Sequence, residues 1–304
     1  MSFFYFVLTN TEAFDLLQEE LRSRYPDLRK SYSRPGFMTL KSEKSIPFKA
    51  HFARVFGVCH GKKTREELNQ YQRAWVWNRE KELEIPPDLK KLSESSNFKI
   101  GEKVTLIMMV GPDEYWVGEY DLKRTHFQTP GEESSIVERD DVPSRAYYKL
   151  AELYEAYDLP FDHQERVLEL GSAPGGATLF LLEQDLLVLG VDPAEMNDEV
   201  KKKFGFRHLK IPFETLGPQH FTDDIDWMIS DVNLPPSVVI KEVERMLDFL
   251  APKGILLTLK IAQPNHVHMI PDFMDRIRKF GYKVDLKYVP SFRKEIALIA
   301  LKDL

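Results

Sequence analysis

Residues 167–184, VLELGSAPGGATLFLLEQ, leave the second half of the chain few ways to fold. Val167–Leu170 is a short apolar run that ends on a turn signal, the pattern of a buried strand. Gly171-Ser172-Ala173-Pro174-Gly175-Gly176 then reverses the backbone, and an apolar helical segment opens near Ala177. Glycines permit a sharp turn and let a ligand approach the main chain closely. Apolar strand candidates recur at Arg166–Leu170, Leu187–Val191, Trp227–Ser230, Ile255–Lys260 and Ile296–Leu301. Helical stretches such as Tyr147–Tyr157, Ser237–Leu250 and Met269–Phe280 lie among them. Continuous apolar strands alternating with helices predict an α/β fold with a mostly parallel sheet covered on both faces. In such a sheet, ligands bind at the carboxyl ends of the strands, beside the first turn.

The first half reads differently. A strand-like run, Phe3–Thr9, is followed by Phe14, Leu17, Leu21 and Tyr25 at helical spacing, then by a second strand-like run, Phe37–Leu40. This predicts a small β-α-β unit. Residues 64–83 have helical character, and their aromatics Tyr71, Trp75 and Trp77 are expected in the core. Val104–Val110 and Tyr115–Leu122 read as strands joined by a Gly-Pro-Asp turn. The polar, aperiodic stretch 126–143 contains the expected linker. The division is a front α+β domain at 1–130, a linker at 131–143 and a second domain at 144–304.

At roughly 100–200 residues per domain, 304 residues accommodate two domains. With 43% apolar and 30% charged residues, the chain has ordinary soluble composition, which disfavours disorder, collagen and coiled coil. No apolar stretch approaches the roughly 20 residues that span a bilayer, so no membrane partner is expected. The opening MSFFYFVL lacks the basic flank and cleavage site of a signal peptide. Cys59 is the one cysteine, which leaves no intrachain disulfide and no cysteine-rich zinc site; a reducing cytoplasm is the expected compartment.

The net charge of −6 hides an asymmetry. Residues 1–130 carry 21 basic and 18 acidic side chains, and the remainder carries 21 and 30. Basic clusters at Arg22, Arg24, Arg29, Lys30 and Arg34, and at Lys62, Lys63 and Arg65, are either solvated faces or a phosphate-contacting surface.

Asp192 ends the strand Leu187–Val191, 21 residues beyond Gly171, where a carboxylate can accept both hydroxyls of a ribose. The loop lacks the G-x-G-x-x-G spacing of a dinucleotide site and the Gly-Lys-Ser/Thr ending of a P-loop. A nucleoside such as S-adenosylmethionine fits it better. Four further polar residues stand at strand or helix positions: Lys149 in SRAYYKL, Asp231 after Trp227–Ser230, Lys260 ending GILLTLK, and Glu295 opening the last strand. A lysine closing an apolar strand is costly unless paired.

SRAYYKL, LELGSAPGG, SDVN, TLK and KEIALIAL, in this order and spacing, resemble the FtsJ/RrmJ-like family of RNA ribose 2′-O-methyltransferases, over about residues 144–304. The resemblance implies a Rossmann-like S-adenosylmethionine-dependent methyltransferase domain. The family's Lys-Asp-Lys-Glu tetrad falls on Lys149, Asp231, Lys260 and Glu295. Cofactor contacts fall on Gly171, Ala173, Pro174, Gly175, Gly176, Asp192 and Asp231. With a front domain of about 130 residues, the chain is most similar to the RlmM type, which methylates a cytidine ribose in large-subunit ribosomal RNA and carries an N-terminal domain related to THUMP modules. RNA is then the partner, with the front domain supplying affinity. The implied reaction is an in-line displacement at the sulfonium methyl carbon that needs no metal. Lys260 is the expected general base or hydroxyl-steering group; to act as base its pKa must fall from about 10.4, which burial and Lys149 can achieve, while neighbouring carboxylates raise it, so the net sign depends on geometry. Asp231 and Glu295 would hold the lysines.

The sequence departs from the family at Ala177-Thr178, where tryptophan is common. It also departs at Lys210-Ile211-Pro212-Phe213, where an adenine-contacting aspartate is common; base recognition there would fall to the backbone or to Phe213. Two alternatives remain open at this point: a methyltransferase of the same fold acting on a small molecule or protein, and a non-catalytic RNA-binding factor. His51, His60, His126, His163, His208 and His220 show no ligand spacing, and His266-Val267-His268 reads as loop, so no metal is expected. Cys59 reads as core.

Overall fold

The aromatic run FFYFVL at the amino terminus has the alternation and β-propensity of a strand with two covered faces. In the computed structural model, which describes residues 2–80, 83–124 and 127–302, it forms β1 (Phe3–Leu8) in the middle of a sheet. His126 lies outside the described residues. The chain divides into two compact units, Met1–Ser135 and Ile136–Leu304.

In the first unit, α1 (Phe14–Arg24) buries Leu16, Leu17 and Leu21. It is followed by β2 (Arg29–Arg34), β3 (Phe37–Ser42), β4 (Val55–Lys63), β5 (Trp75–Asn78), α2 (Pro87–Ser95), β6 (Lys103–Gly111) and β7 (Glu114–Asp121). The seven strands run in the order β2-β3-β1-β4-β7-β6-β5. The expected β-α-β unit is in fact β-α-β-β. The return strand is paired antiparallel to β1, because β2 and β3 form a hairpin at Arg34-Pro35-Gly36-Phe37. The helical reading of 64–83 is also corrected. Glu66–Gln70 is a 3-10 turn, and Trp75–Asn78 is a strand parallel to β6. The Trp-Val-Trp alternation won there, because it places Trp75 and Trp77 on one face and Val76 on the other. The same alternation along β6 divides Val104, Leu106 and Met108 from Ile107 and Met109, so the sheet is covered on both sides. Cys59 is buried, and burial pushes its thiol up to about 11, which makes it an inert core residue. Gly131 and Glu132, in the polar stretch, are buried, and Glu133 accepts hydrogen bonds from Arg54 and from the Trp77 indole. These residues therefore belong to the first unit.

The second unit contains α3 (Ala146–Tyr157), β8 (Arg166–Leu170), α4 (Gly176–Glu183), β9 (Leu187–Val191), α5 (Asp198–Lys201), β10 (Phe206–Leu209), β11 (Trp227–Ser230), α6 (Pro236–Leu247), β12 (Gly254–Lys260), α7 (Ile270–Arg278), β13 (Lys283–Lys287) and β14 (Glu295–Leu301). Strand order is β10-β9-β8-β11-β12-β14-β13. The first five strands are parallel, and β14 inserts antiparallel between β12 and β13. This is the Rossmann-like sheet that the periodicity and the resemblance predicted. β10 and β13, at the sheet's two edges, carried no readable signal: FRHL and KVDLK are half polar because edge strands are half solvated. α3 and α4 pack on each other, while α6 and α7 pack together and meet β12 and β13. Among the described residues, no helix is long and apolar enough to cross a membrane.

Candidate active site

In a parallel sheet every strand delivers its last residue to one edge. Here that edge receives Gly171 after β8, Asp192 after β9, Asp231 after β11, and Lys260 as the last residue of β12. β14 runs the other way, so its first residue arrives at the same edge, where Glu295 pairs in register with Lys260. Register pairing also puts Glu169 beside Ile229 and Ile229 beside Leu256. With a side-chain period of two, Glu169, Asp231 and Lys260 therefore share one face.

Lys149 reaches that face from α3. Its ammonium lies 3.1 Å from Asp231 Oδ2 and 2.9 Å from Glu295 Oε1. The Lys260 ammonium contacts the Asp231 carboxylate and stands 2.5 Å from Glu295 Oε2. All four predicted residues thus meet in one alternating ring of two cations and two anions, each with 9–21% of its side chain exposed. Such a ring is neutral as a whole, which is what makes partial burial of four charges tolerable.

The ring changes the expected proton affinity of Lys260. Burial pulls it down, but the Asp231 and Glu295 carboxylates more than offset that, and Lys260 is held above the ordinary lysine range. The sign that the sequence left to geometry is decided by two anions in direct contact. For Glu295, burial pushes upward, yet Lys260 and Lys149 prevail and hold the carboxyl below its usual range.

The glycine loop abuts this ring through both elements that carry it. At Gly171 (φ 77°) an added Cβ would lie 2.5 Å from Val232 Cγ1, directly after Asp231. At Gly176 it would lie 2.2 Å from Ser144 Oγ, just ahead of α3. Gly176→Ala is therefore expected to lower stability by about 1–3 kcal/mol through overpacking, measured as a urea midpoint. Asp192 is tied to the loop: its carboxylate accepts the Ala173 amide at 3.2 Å and the Ala194 amide at 2.8 Å. Ala173-Pro174 is a cis peptide, and Ser172 Oγ is buried with no partner among the described residues. A glycine-rich turn with an anchored carboxylate one strand away fits a nucleoside bearing a positive charge. Phe213 is buried at 7% exposure in the core.

Three supporting features were not singled out from sequence. Glu169 is buried, and burial pushes its carboxyl up to about 8; the Thr178 hydroxyl bond at 2.6 Å opposes this, while Asp231 and Asp192 add to it. It is therefore neutral at pH 7. The readable signal was an acid inside the otherwise apolar VLEL. Arg145 and Glu152, one turn either side of Lys149, grip Ser291. Arg145 donates to its carbonyl at 2.8 Å, and its amide donates to Glu152 at 2.7 Å. This clamps the β13–β14 connection that leads to Glu295. Arg139 bridges Asp141, Glu183 and the Tyr147 hydroxyl, tying the approach of α3 to α4. The Ser291 clamp and the Arg139 bridge have no sequence signature, because each depends on a contact between distant segments.

Residues 142–284 match the family model for FtsJ-like methyltransferases. Among curated proteins, the ribosomal RNA large subunit methyltransferase M of Laribacter hongkongensis (strain HLHK9) is 27% identical over 173 residues, covering 52% of this chain and 47% of its own length. The protein of the same name from Thauera aminoaromatica is 26% identical over 174 residues, covering 53% and 47%. The chain spans about half the length of the curated relatives it matches. Among solved structures, Aeropyrum pernix fibrillarin, in complex with natively bound S-adenosyl-L-methionine, is 17% identical over 67% of this chain and 84% of its own, with a TM-score of 0.41.

Proposed function

Residues 142–284 match the model for FtsJ-like methyltransferases, and from that match and the site we propose that the protein transfers a methyl group from S-adenosylmethionine to a ribose 2′-hydroxyl of RNA, with large-subunit ribosomal RNA as substrate. The observation that carries the reading is the closed ring of Lys149, Asp231, Lys260 and Glu295 beside the glycine loop. The RlmM-type relatives support ribosomal RNA as the substrate class. The reading also places the protein in the cytoplasm, where its substrate is made.

Gly171, Ala173, Pro174, Gly175 and Gly176 would line the cofactor, Asp192 would accept its ribose hydroxyls, and Asp231 would face its methionine end. S-adenosylmethionine, when bound, supplies an electrophilic methyl group on a sulfonium. The ring's part is to orient the hydroxyl and remove its proton. Lys260 first releases a proton to solvent, its neutral amine then accepts the hydroxyl proton, and Asp231 and Glu295 stabilise the re-formed ammonium. Lys149 stays bridged to both carboxylates throughout. Carboxylates alone would give a base of low proton affinity; a lysine between two carboxylates gives one that is strong but mostly protonated at neutral pH.

The sign of the pH dependence follows. Below a raised Lys260 pKa, the neutral fraction grows tenfold per pH unit. Single-turnover transfer from tritiated S-adenosylmethionine to RNA is therefore expected to rise with unit slope from pH 7 to 9, with no plateau below the ordinary lysine value of about 10.4. Glu295→Gln removes one anion, so its profile should level off at a lower pH than that of the parent. A flat profile over that range would take the base role away from Lys260. Label recovered in a small-molecule or protein fraction, with none in RNA, would overturn the substrate class.

A further inference from the structure

Strand β2 is the outer edge of the front unit's sheet, and its sequence, RKSYSR, is an unusual one to leave there. Register places Arg29 directly opposite Lys41 on β3, and Lys41 opposite Phe4 on β1. The next rows of the same face set Tyr32 beside Thr39 and Arg34 beside Phe37. Like charges directly opposite one another on a sheet destabilise it. Among the described residues, neither Arg29 nor Lys41 has a carboxylate partner to relieve this, whereas Arg34 is ion-paired to Glu114 at 3.9 Å. The other basic cluster behaves in the opposite way: Lys62, Lys63 and Arg65 are paired to Glu114, Glu67 and Asp88.

A ring lies beside the unpaired cations: Phe4 is 37% exposed with the Lys41 ammonium 5.9 Å from its centroid. Tyr32, by contrast, packs into the core against Phe37 and Trp116. A face that keeps an unrelieved cation pair and an exposed phenyl ring together is poorly suited to solvent. It suits a polyanion that carries flat apolar groups, since phosphates meet the cations while bases stack on the rings.

From this geometry we infer that the β1–β2–β3 edge of the front unit is a docking platform for single-stranded RNA, with Arg29 and Lys41 meeting phosphates and Phe4 meeting a base. It rests on the reading of RNA as the substrate and assigns its capture to named residues. The second basic cluster takes no part.

The test is fluorescence anisotropy of the full-length protein with a fluorescein-labelled oligouridylate over a range of salt. Arg29→Gln/Lys41→Gln is expected to weaken binding about tenfold. It should also lower the slope of log affinity against log salt by about 1.4, at about 0.7 per lost phosphate contact on a single strand. Phe4→Ala should weaken binding about fivefold or more with the slope unchanged, as loss of stacking does. Lys63→Gln/Arg65→Gln should bind as the parent does. The Arg29→Gln/Lys41→Gln protein should melt at or above the parent temperature, since a repulsive pair has been removed, so weak binding cannot be assigned to unfolding. Unchanged affinity and slope in that variant would overturn the platform, as would Arg29- and Lys41-dependent capture by phosphatidylserine vesicles without capture of the oligouridylate. If the parent protein methylates RNA while the variant binds normally, the platform alone is wrong. If the parent neither binds nor labels RNA, the substrate reading falls with it.

Discussion

Lys260→Ala is expected to lower methyl transfer to RNA by about 10²–10⁴-fold, the usual contribution of a positioned acid–base group. Affinity for S-adenosylmethionine should stay within a few-fold, because the glycine loop and Asp192 are untouched by the change. The variant also leaves Asp231 and Glu295 with Lys149 as their remaining lysine. Some stability is lost, though less than the ~3–5 kcal/mol of a fully buried broken pair, since Lys149 still bridges both anions and the ring is partly solvated. Calorimetric binding of the cofactor reports on the fold and the cradle together, while single-turnover transfer reports on the proton step. Near-normal transfer by this variant would remove Lys260 from the chemistry; loss of cofactor binding in proportion would make it a structural residue.

A larger effect on stability is expected at Glu169→Gln. The folded protein holds this carboxyl protonated until about pH 8, whereas the unfolded chain releases its proton near 4.5. The folded-state pKa is raised, so the contribution is fully present below about pH 4.5 and is lost as pH climbs to about 8. A tenfold change in proton binding is worth about 1.36 kcal/mol, so this one group costs on the order of 5 kcal/mol across that window. Glutamine matches the neutral acid in shape and keeps an acceptor for the Thr178 hydroxyl. The variant should therefore match the parent near pH 4.5, exceed it increasingly up to pH 8, and show a flatter dependence of urea midpoint on pH. Parallel curves for the two proteins would mean that Glu169 is already ionised in the fold. A natural sequence keeps an acid here at a cost in stability, and the acid lies on the same face as Asp231 in the candidate active site.

Much of the second unit was readable because its signals are local. A run such as Val167–Leu170 declares burial, the following glycines declare a turn, and five such strands separated by helices admit one broad architecture. The front unit was less readable. Trp75–Asn78 sits in a polar neighbourhood whose averaged pattern is helical, and its strand character depends on pairing with β6, some thirty residues later. The edge strands β2, β10 and β13 escaped for a related reason, since half-solvated strands carry too few apolar residues to alternate clearly.

Sequence alone determined that Lys149, Asp231, Lys260 and Glu295 were chemically misplaced as ordinary surface residues, and that Gly171–Gly176 turned beside a strand end. The tertiary structure decided what those residues do to one another. The antiparallel register of β14 carries Glu295 to Lys260, and α3 swings Lys149 across 82 residues of chain to Asp231. The same register raises the proton affinity of Lys260, where burial by itself would have lowered it. On the front sheet, strand pairing sets Arg29 against Lys41. Periodicity encodes which side chains leave water, a property of a residue and its near neighbours. Charge balance, proton affinity and strand register depend on distances between segments far apart in the chain, and those exist once the sheet has closed.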